Sequence, residues 1–234
     1  MSGFVERMLE RRGEQRLVRD AYGLALFSLL ASILLLIASG SPLVSPVALI
    51  GATLIFAAML ITFRVSGVSP RGFVVVAVTL GTLGGAALSS VFFAGDIGRV
   101  MVLAAWLVFT LAGIGAIARR LRTYREVTVP LVLGLLCIYL LLGLVFALGY
   151  SFIDALLGAS LDPPGQGIAG SLYFSFITLA TVGYGDLTPA VTVVRAMAVA
   201  ESIVGQLYLV SIVSLAVSRL RIDRRHPADP EETS

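Results

Sequence analysis

Six long stretches of this chain contain almost nothing that prefers water, and that feature leaves few folds open. They run Tyr22–Ser39, Val47–Phe63, Phe73–Ala94, Val100–Ala118, Val129–Tyr150 and Val191–Val217. Each is near the roughly 20 residues that a helix needs to cross a bilayer, allowing for tilt. Backbone surrounded by lipid must satisfy its own polar groups, so spans of this kind are helical. The alternating pattern of an outer-membrane barrel is absent, because the apolar runs are continuous. Composition agrees: 58% of residues are hydrophobic and 13% charged, against about 45–50% and about 25% in soluble domains. So much apolar surface cannot be hidden in one core beneath a wetted exterior. A soluble enzyme, a nucleic-acid reader and a disordered tail protein are excluded.

The orientation follows from the basic residues, all 17 of which are arginine. With the N-terminus in the cytoplasm, the inner segments hold Arg7 to Arg19, Arg64 and Arg71, Arg119 to Arg125, and Arg219 to Arg225. Only Arg99 and Arg195 then fall outside. The positive-inside bias therefore puts both termini in the cytoplasm. The first span does not read as a cleaved signal peptide: its leader mixes acids with arginines and no A-x-A site follows. Residues 2–20 suit either an interfacial helix or a solvated leader. The single cysteine, Cys137, and the single histidine, His226, exclude a metal site of clustered Cys and His within one chain. His226 reads as a solvated tail residue. Gly81, Gly84 and Gly85, with Ala86, Ala87 and Ser89, suit close helix packing in the third span.

Between the fifth and sixth spans, residues 151–168 read as an outer loop broken by Pro163, Pro164, Gly165 and Gly167. The apolar run Ala169–Ala180 comes next. As a helix of 12 residues it is about 18 Å long, too short to cross. Thr181-Val182-Gly183-Tyr184-Gly185-Asp186 is directly attached to it, then Pro189 and the sixth span. A half crossing and then a glycine-containing strand make a re-entrant loop, permitted only where protein or a water-filled pore surrounds it.

Here the chain resembles the potassium channel family, over roughly Val129–Ser218. The pentapeptide Thr181–Gly185 is that family's filter. Tyr173-Phe174-Ser175 in the pore helix, Asp186, Pro189 and Gly205 align with bacterial potassium pores without a gap. The resemblance implies that backbone oxygens of Thr181, Val182, Gly183 and Tyr184, with the Thr181 hydroxyl, replace the hydration shell of K+. Gly183 and Gly185 permit a conformation that L-residues resist. Val182 and Tyr184 pack against the pore helices, and the C-terminal end of the pore helix near Ala180 favours a cation in the cavity. One filter strand per chain implies a homotetramer around the pore axis. Asp186, with Tyr173 as a candidate hydrogen-bond partner, supports the filter from behind, and Phe174 is the second aromatic. Ala180, Ile177 and the pair Tyr173–Phe174 depart from common family choices and bear on inactivation rather than selectivity.

On the sixth span, Ser202, Gln206, Leu209 and Val213 fall within about 60° of one another at 100° per residue. This stripe is the expected cavity lining, its apolar part either a hydrophobic gate or plain packing. Glu201 is the one carboxylate within a span and faces the fifth span or the pore helix, in either a structural or a gating role. Gly205 is either a hinge or a close-packing residue. Arg195 matches a basic residue of bacterial pores or is a snorkelling surface charge.

The expectation is an all-α integral membrane protein with six transmembrane helices, a re-entrant pore helix and a selectivity filter. Its parts are a cytoplasmic segment (1–20), a four-helix peripheral domain (21–118), a cytoplasmic linker (119–128), the pore domain (129–218) and a cytoplasmic tail (219–234). The fourth span carries no charge between Val100 and Ala118, so the peripheral domain is not an arginine-rich voltage sensor. Arg119, Arg120, Arg122 and Arg125 contact lipid headgroups. About 17 residues lie beyond the sixth span, too few for a ligand-binding domain, so a gating ligand acts on the membrane part or through a separate regulatory subunit. Passive K+ conduction across the plasma membrane, with no cofactor, no catalysis and no nucleic-acid partner, is the expected function. A potassium uptake transporter subunit is the nearer rival, though such chains usually hold four degenerate filters. A G-x-G-D aspartyl protease is the further one: it needs a second aspartate in a span, and Asp20, Asp96, Asp154, Asp162, Asp223 and Asp229 all read as loop or tail residues.

Overall fold

The computed structural model describes residues 22–38, 54, 55, 60, 96–124 and 128–222. The leader, the tail beyond Ile222, the third span with its glycines and all but three residues of the second span lie outside these, whereas the first four tail residues, 219–222, continue the last helix. Arg64, Arg71, Arg125 and His226 also lie outside the described residues. Five helices and one two-stranded ribbon are described: α1 (Tyr22–Ala38), α2 (Asp96–Leu121), α3 (Val129–Leu157), β1 (Leu161–Asp162), α4 (Gly167–Leu179), β2 (Thr188–Pro189) and α5 (Thr192–Ile222). Among the described residues three helical stretches are long and apolar enough to cross a membrane, Gly98–Leu121, Val129–Leu157 and Thr192–Leu215, whereas Tyr22–Ala38 and Gly167–Leu179 are shorter.

Several helix boundaries differ from the sequence expectation. The fifth span does not end at Tyr150, and the outer loop does not begin at 151. Helix α3 continues for two more turns to Leu157, where Gly158 closes it in a left-handed conformation, φ 74°, with its N–H on the Asp154 carbonyl. The extra turns hold because Phe152 and Ala155 still pack against the core. Asp154 is consequently a helix residue, not a loop residue. Its carboxylate accepts from Arg99 at 3.2 Å and from the Ser160 N–H at 3.3 Å. Asp96, also expected in a loop, is the first residue of α2. Helix α2 extends past the uncharged stretch at both ends, so Arg99, Arg119 and Arg120 are helical.

Packing runs in sequence order. Helix α2 lies along α3, α3 contacts both α4 and α5, and α4 contacts α5. The main core joins Tyr22, Leu29, Ile117, Cys137, Leu141, Leu144 and Leu172, so α1, α2 and α3 share it with the near side of α4. A second cluster of Tyr150, Leu161, Phe174, Leu187 and Val194 sits beneath the outer loop. The antiparallel ribbon, Leu161 opposite Pro189 and Asp162 opposite Thr188, ties the loop before α4 to the segment after it. Both ends of the re-entrant segment are thereby held at one level.

Candidate pore and selectivity filter

Helix α4 has 13 residues, about 20 Å at 1.5 Å per residue, so the chain must turn back within the bilayer. The last turn of α4 sets the path of the strand attached to it. Ala180 N–H donates to the Phe176 carbonyl at 3.0 Å, Thr181 N–H to Thr178 at 3.0 Å, and both Val182 and Gly183 N–H to Ile177 at 2.8 and 3.2 Å. The carbonyls left without helical partners thus become anchors for the strand.

Thr181, Gly183 and Gly185 have φ of 56°, 55° and 79°, while Val182 and Tyr184 are outside the positive region. Alternation of left- and right-handed conformations turns successive N–H groups the same way. Their carbonyls then share the opposite side, instead of alternating as in an ordinary strand. Glycine adopts this freely at 183 and 185. Thr181 is a non-glycine in the left-handed region, which costs of order 1–3 kcal/mol and persists because the anchoring bonds over-determine it. Sequence reasoning finds the glycines and misses the strained threonine, because only the helix end to which it is tied imposes that φ.

Thr181 to Asp186 are all exposed in the single chain, with Val182 at 51% and Tyr184 at 73%. The chain's own pore helix does not cover these two side chains. Val182 and Tyr184 together leave an exposed apolar surface on the single chain. Behind the strand, Tyr173 donates to Asp186 Oδ2 at 2.7 Å, and the Leu187 N–H donates to Oδ1 at 3.1 Å. Phe174 is buried edge-on against Tyr150, centroids 5.2 Å apart.

Helix α5 approaches α4 at Gly205. A Cβ there would lie 2.7 Å from the Leu179 carbonyl oxygen and 2.8 Å from its Cδ1. The same carbonyl accepts from the Tyr139 hydroxyl at 3.3 Å, and Tyr139 stacks on Tyr208, whose hydroxyl donates to the Leu135 carbonyl at 2.7 Å. Of the expected cavity stripe, Gln206 and Val213 are exposed, while Ser202 and Leu209 are half-buried. The Ser202 hydroxyl donates back to its own helix at Ala198, 3.0 Å away. The structure therefore separates the stripe into an open pair and a partly covered pair. Arg195 is exposed, and its Nε donates to the Pro189 carbonyl at 3.3 Å.

Glu201 is fully buried where α3, α4 and α5 meet. Tyr150 Oη donates to Oε2 at 2.6 Å. Ser175 Oγ lies 2.5 Å from Oε1 and 2.7 Å from the Gly143 carbonyl oxygen. The sequence alone does not single out Tyr150 or Gly143, and it presents Ser175 only as part of an aligned motif. The legible signal is a demand: a carboxyl in a span needs polar partners at its own depth.

Known proteins give an independent reading of the same segment. Residues 134–221 match the protein family described as Ion channel. That stretch is similar to an ion channel domain. A two pore potassium channel c of Oryza sativa subsp. japonica is 36% identical over 69 residues, covering 29% of this chain and 15% of that protein. The chain thus spans a small part of the length of that curated relative. No solved structure matches the chain. The ion channel domain begins within α3 and ends within α5, so it takes in α4 and the strand anchored to it.

Proposed function

We propose that this protein is a potassium-selective channel in which four copies of the chain surround one pore and K+ crosses passively. The observation that carries the reading is the strand Thr181–Gly185, with left-handed φ at alternate residues and the Val182 and Gly183 amides tied to the Ile177 carbonyl. Four such strands facing an axis would offer stacked rings of oxygens from Thr181, Val182, Gly183 and Tyr184. These would replace the hydration shell of a K+ ion, which is the substrate here. Exposed Val182 and Tyr184 would be covered by neighbouring copies, fixing the ring width. Gln206 and Val213 would face the water-filled cavity below the filter.

The arginine distribution supports cytoplasmic termini in the plasma membrane, with Arg119, Arg120 and Arg122 at lipid headgroups. Helix α2 carries no charge from Val100 to Ala118, so opening would depend only weakly on potential.

Reconstitution tests the proposal. Liposomes holding the purified protein should take up rubidium and potassium far faster than sodium, and detergent-corrected mass should equal four chains. Equal sodium uptake, or a dimer, would overturn it.

A further inference from the structure

The cluster around Glu201 has more contacts than hydrogens if the carboxyl is ionised. Ser175 Oγ is within hydrogen-bond distance of two oxygens, Glu201 Oε1 at 2.5 Å and the Gly143 carbonyl at 2.7 Å. A hydroxyl has one hydrogen and a carbonyl has none. With a carboxylate, one of these contacts is a bare oxygen pair in a buried site. The Tyr150 hydrogen cannot fill the gap, because it is used on Oε2 at 2.6 Å. One further hydrogen, on Oε1, resolves the count. Glu201 then donates to Ser175, Ser175 donates to Gly143, and Tyr150 donates to Glu201. Among the described residues no arginine pairs with Glu201. The titratable side chains facing it are Tyr150 and Tyr139, both on α3, and α4 presents only the non-titrating Ser175. Glu201, Ser175 and Tyr150 are each fully buried, and two oxygens 2.5 Å apart leave no room for a bridging water between them.

We infer that Glu201 is held as a neutral carboxylic acid and in that form is a positioning residue for the filter. Its hydrogen-bond chain pins the middle of α4 to both long helices of the domain. Ser175 is two residues before Ile177, whose carbonyl anchors the filter at Val182 and Gly183. Loss of the proton leaves Ser175 to serve one partner only. The pore helix is then released from either α3 or α5, and the strand it carries loses its fixed level. One buried hydrogen bond is about a tenfold shift in occupancy of the pinned arrangement.

The inference rests on the channel reading, and its test separates the two. Rubidium uptake into liposomes is measured from neutral to strongly alkaline pH for the wild type, Glu201→Gln and Ser175→Ala. The infrared carbonyl band of a protonated carboxylic acid is recorded on the same samples. Glutamine reproduces the neutral pattern: its N–H donates to Ser175 and its carbonyl accepts from Tyr150. Wild-type uptake should fall about tenfold on the alkaline side as the band disappears. Glu201→Gln should lack the band, conduct at neutral pH and keep its uptake in alkali. Ser175→Ala should conduct poorly throughout. A wild type without the band, or a Glu201→Gln variant with the wild-type pH profile, overturns the inference. Absence of rubidium uptake in every sample with the band present overturns the channel reading and supports the neutral carboxyl.

Discussion

Gly205→Ala adds a single methyl group at the tightest junction between α5 and α4. The new Cβ would stand 2.7 Å from the Leu179 carbonyl oxygen, which is backbone, and 2.8 Å from the Leu179 Cδ1. A side chain can rotate away, but the carbonyl cannot. It belongs to the end of a pore helix already fixed at Ile177 and Thr178. The two helices must separate by several tenths of an ångström, and overpacking of this kind costs about 1–3 kcal/mol per chain. Alanine in place of glycine within a helix returns up to about 1 kcal/mol. Gly115→Ala on α2 isolates that return, because nothing among the described residues lies within 4 Å of a Cβ there. Unfolding of the reconstituted protein in mixed detergent and dodecyl sulfate micelles should find Gly115→Ala as stable as wild type or more so. Gly205→Ala should be less stable than Gly115→Ala by about 1–3 kcal/mol, with reduced rubidium uptake. A hinge at Gly205 predicts something else: equal stability of the two variants, with only the frequency of opening changed. Equal stability would refute the close-packing argument.

Gly183→Ala and Gly185→Ala, at φ of 55° and 79°, each add about 1–2 kcal/mol of left-handed strain per chain; liposome uptake should lose its preference for rubidium over sodium, and retained selectivity would count against the alternating strand. Tyr173→Phe removes the 2.7 Å bond to Asp186; single-channel records should show shorter conducting bursts at unchanged conductance, and bursts of wild-type length would make the bond irrelevant to the filter. In planar bilayers the open probability should vary weakly with voltage, because α2 is uncharged from Val100 to Ala118; a steep curve preceded by a gating current would place mobile charge in the field.

The apolar runs and the arginine distribution mark this as a membrane chain without any tertiary information. Both are properties of the chain set against a slab of hydrocarbon, a one-dimensional problem. The re-entrant segment is legible for the same reason: Ala169–Ala180 is too short to cross, and Thr181–Gly185 is joined to its end. Helix ends are less legible. The fifth span looks complete at Tyr150, but packing of Phe152 and Ala155 carries α3 to Leu157 and makes Asp154 a helical partner of Arg99.

Tertiary structure decided everything that depends on two segments meeting. Thr181 takes a left-handed φ because Thr178 and Ile177 hold the amides on either side of that bond. Gly205 must be small because α5 crosses the end of α4 at the Leu179 carbonyl. Glu201 is conspicuous in the sequence as a carboxyl in a span, yet its meaning lies in Tyr150, Ser175 and Gly143. They come from two other helices, and only their distances show that the cluster is one hydrogen short. Periodicity and composition are local and fix which groups a helix carries. Hydrogen-bond arithmetic needs the distances between groups far apart in the chain, and only the packed structure supplies them.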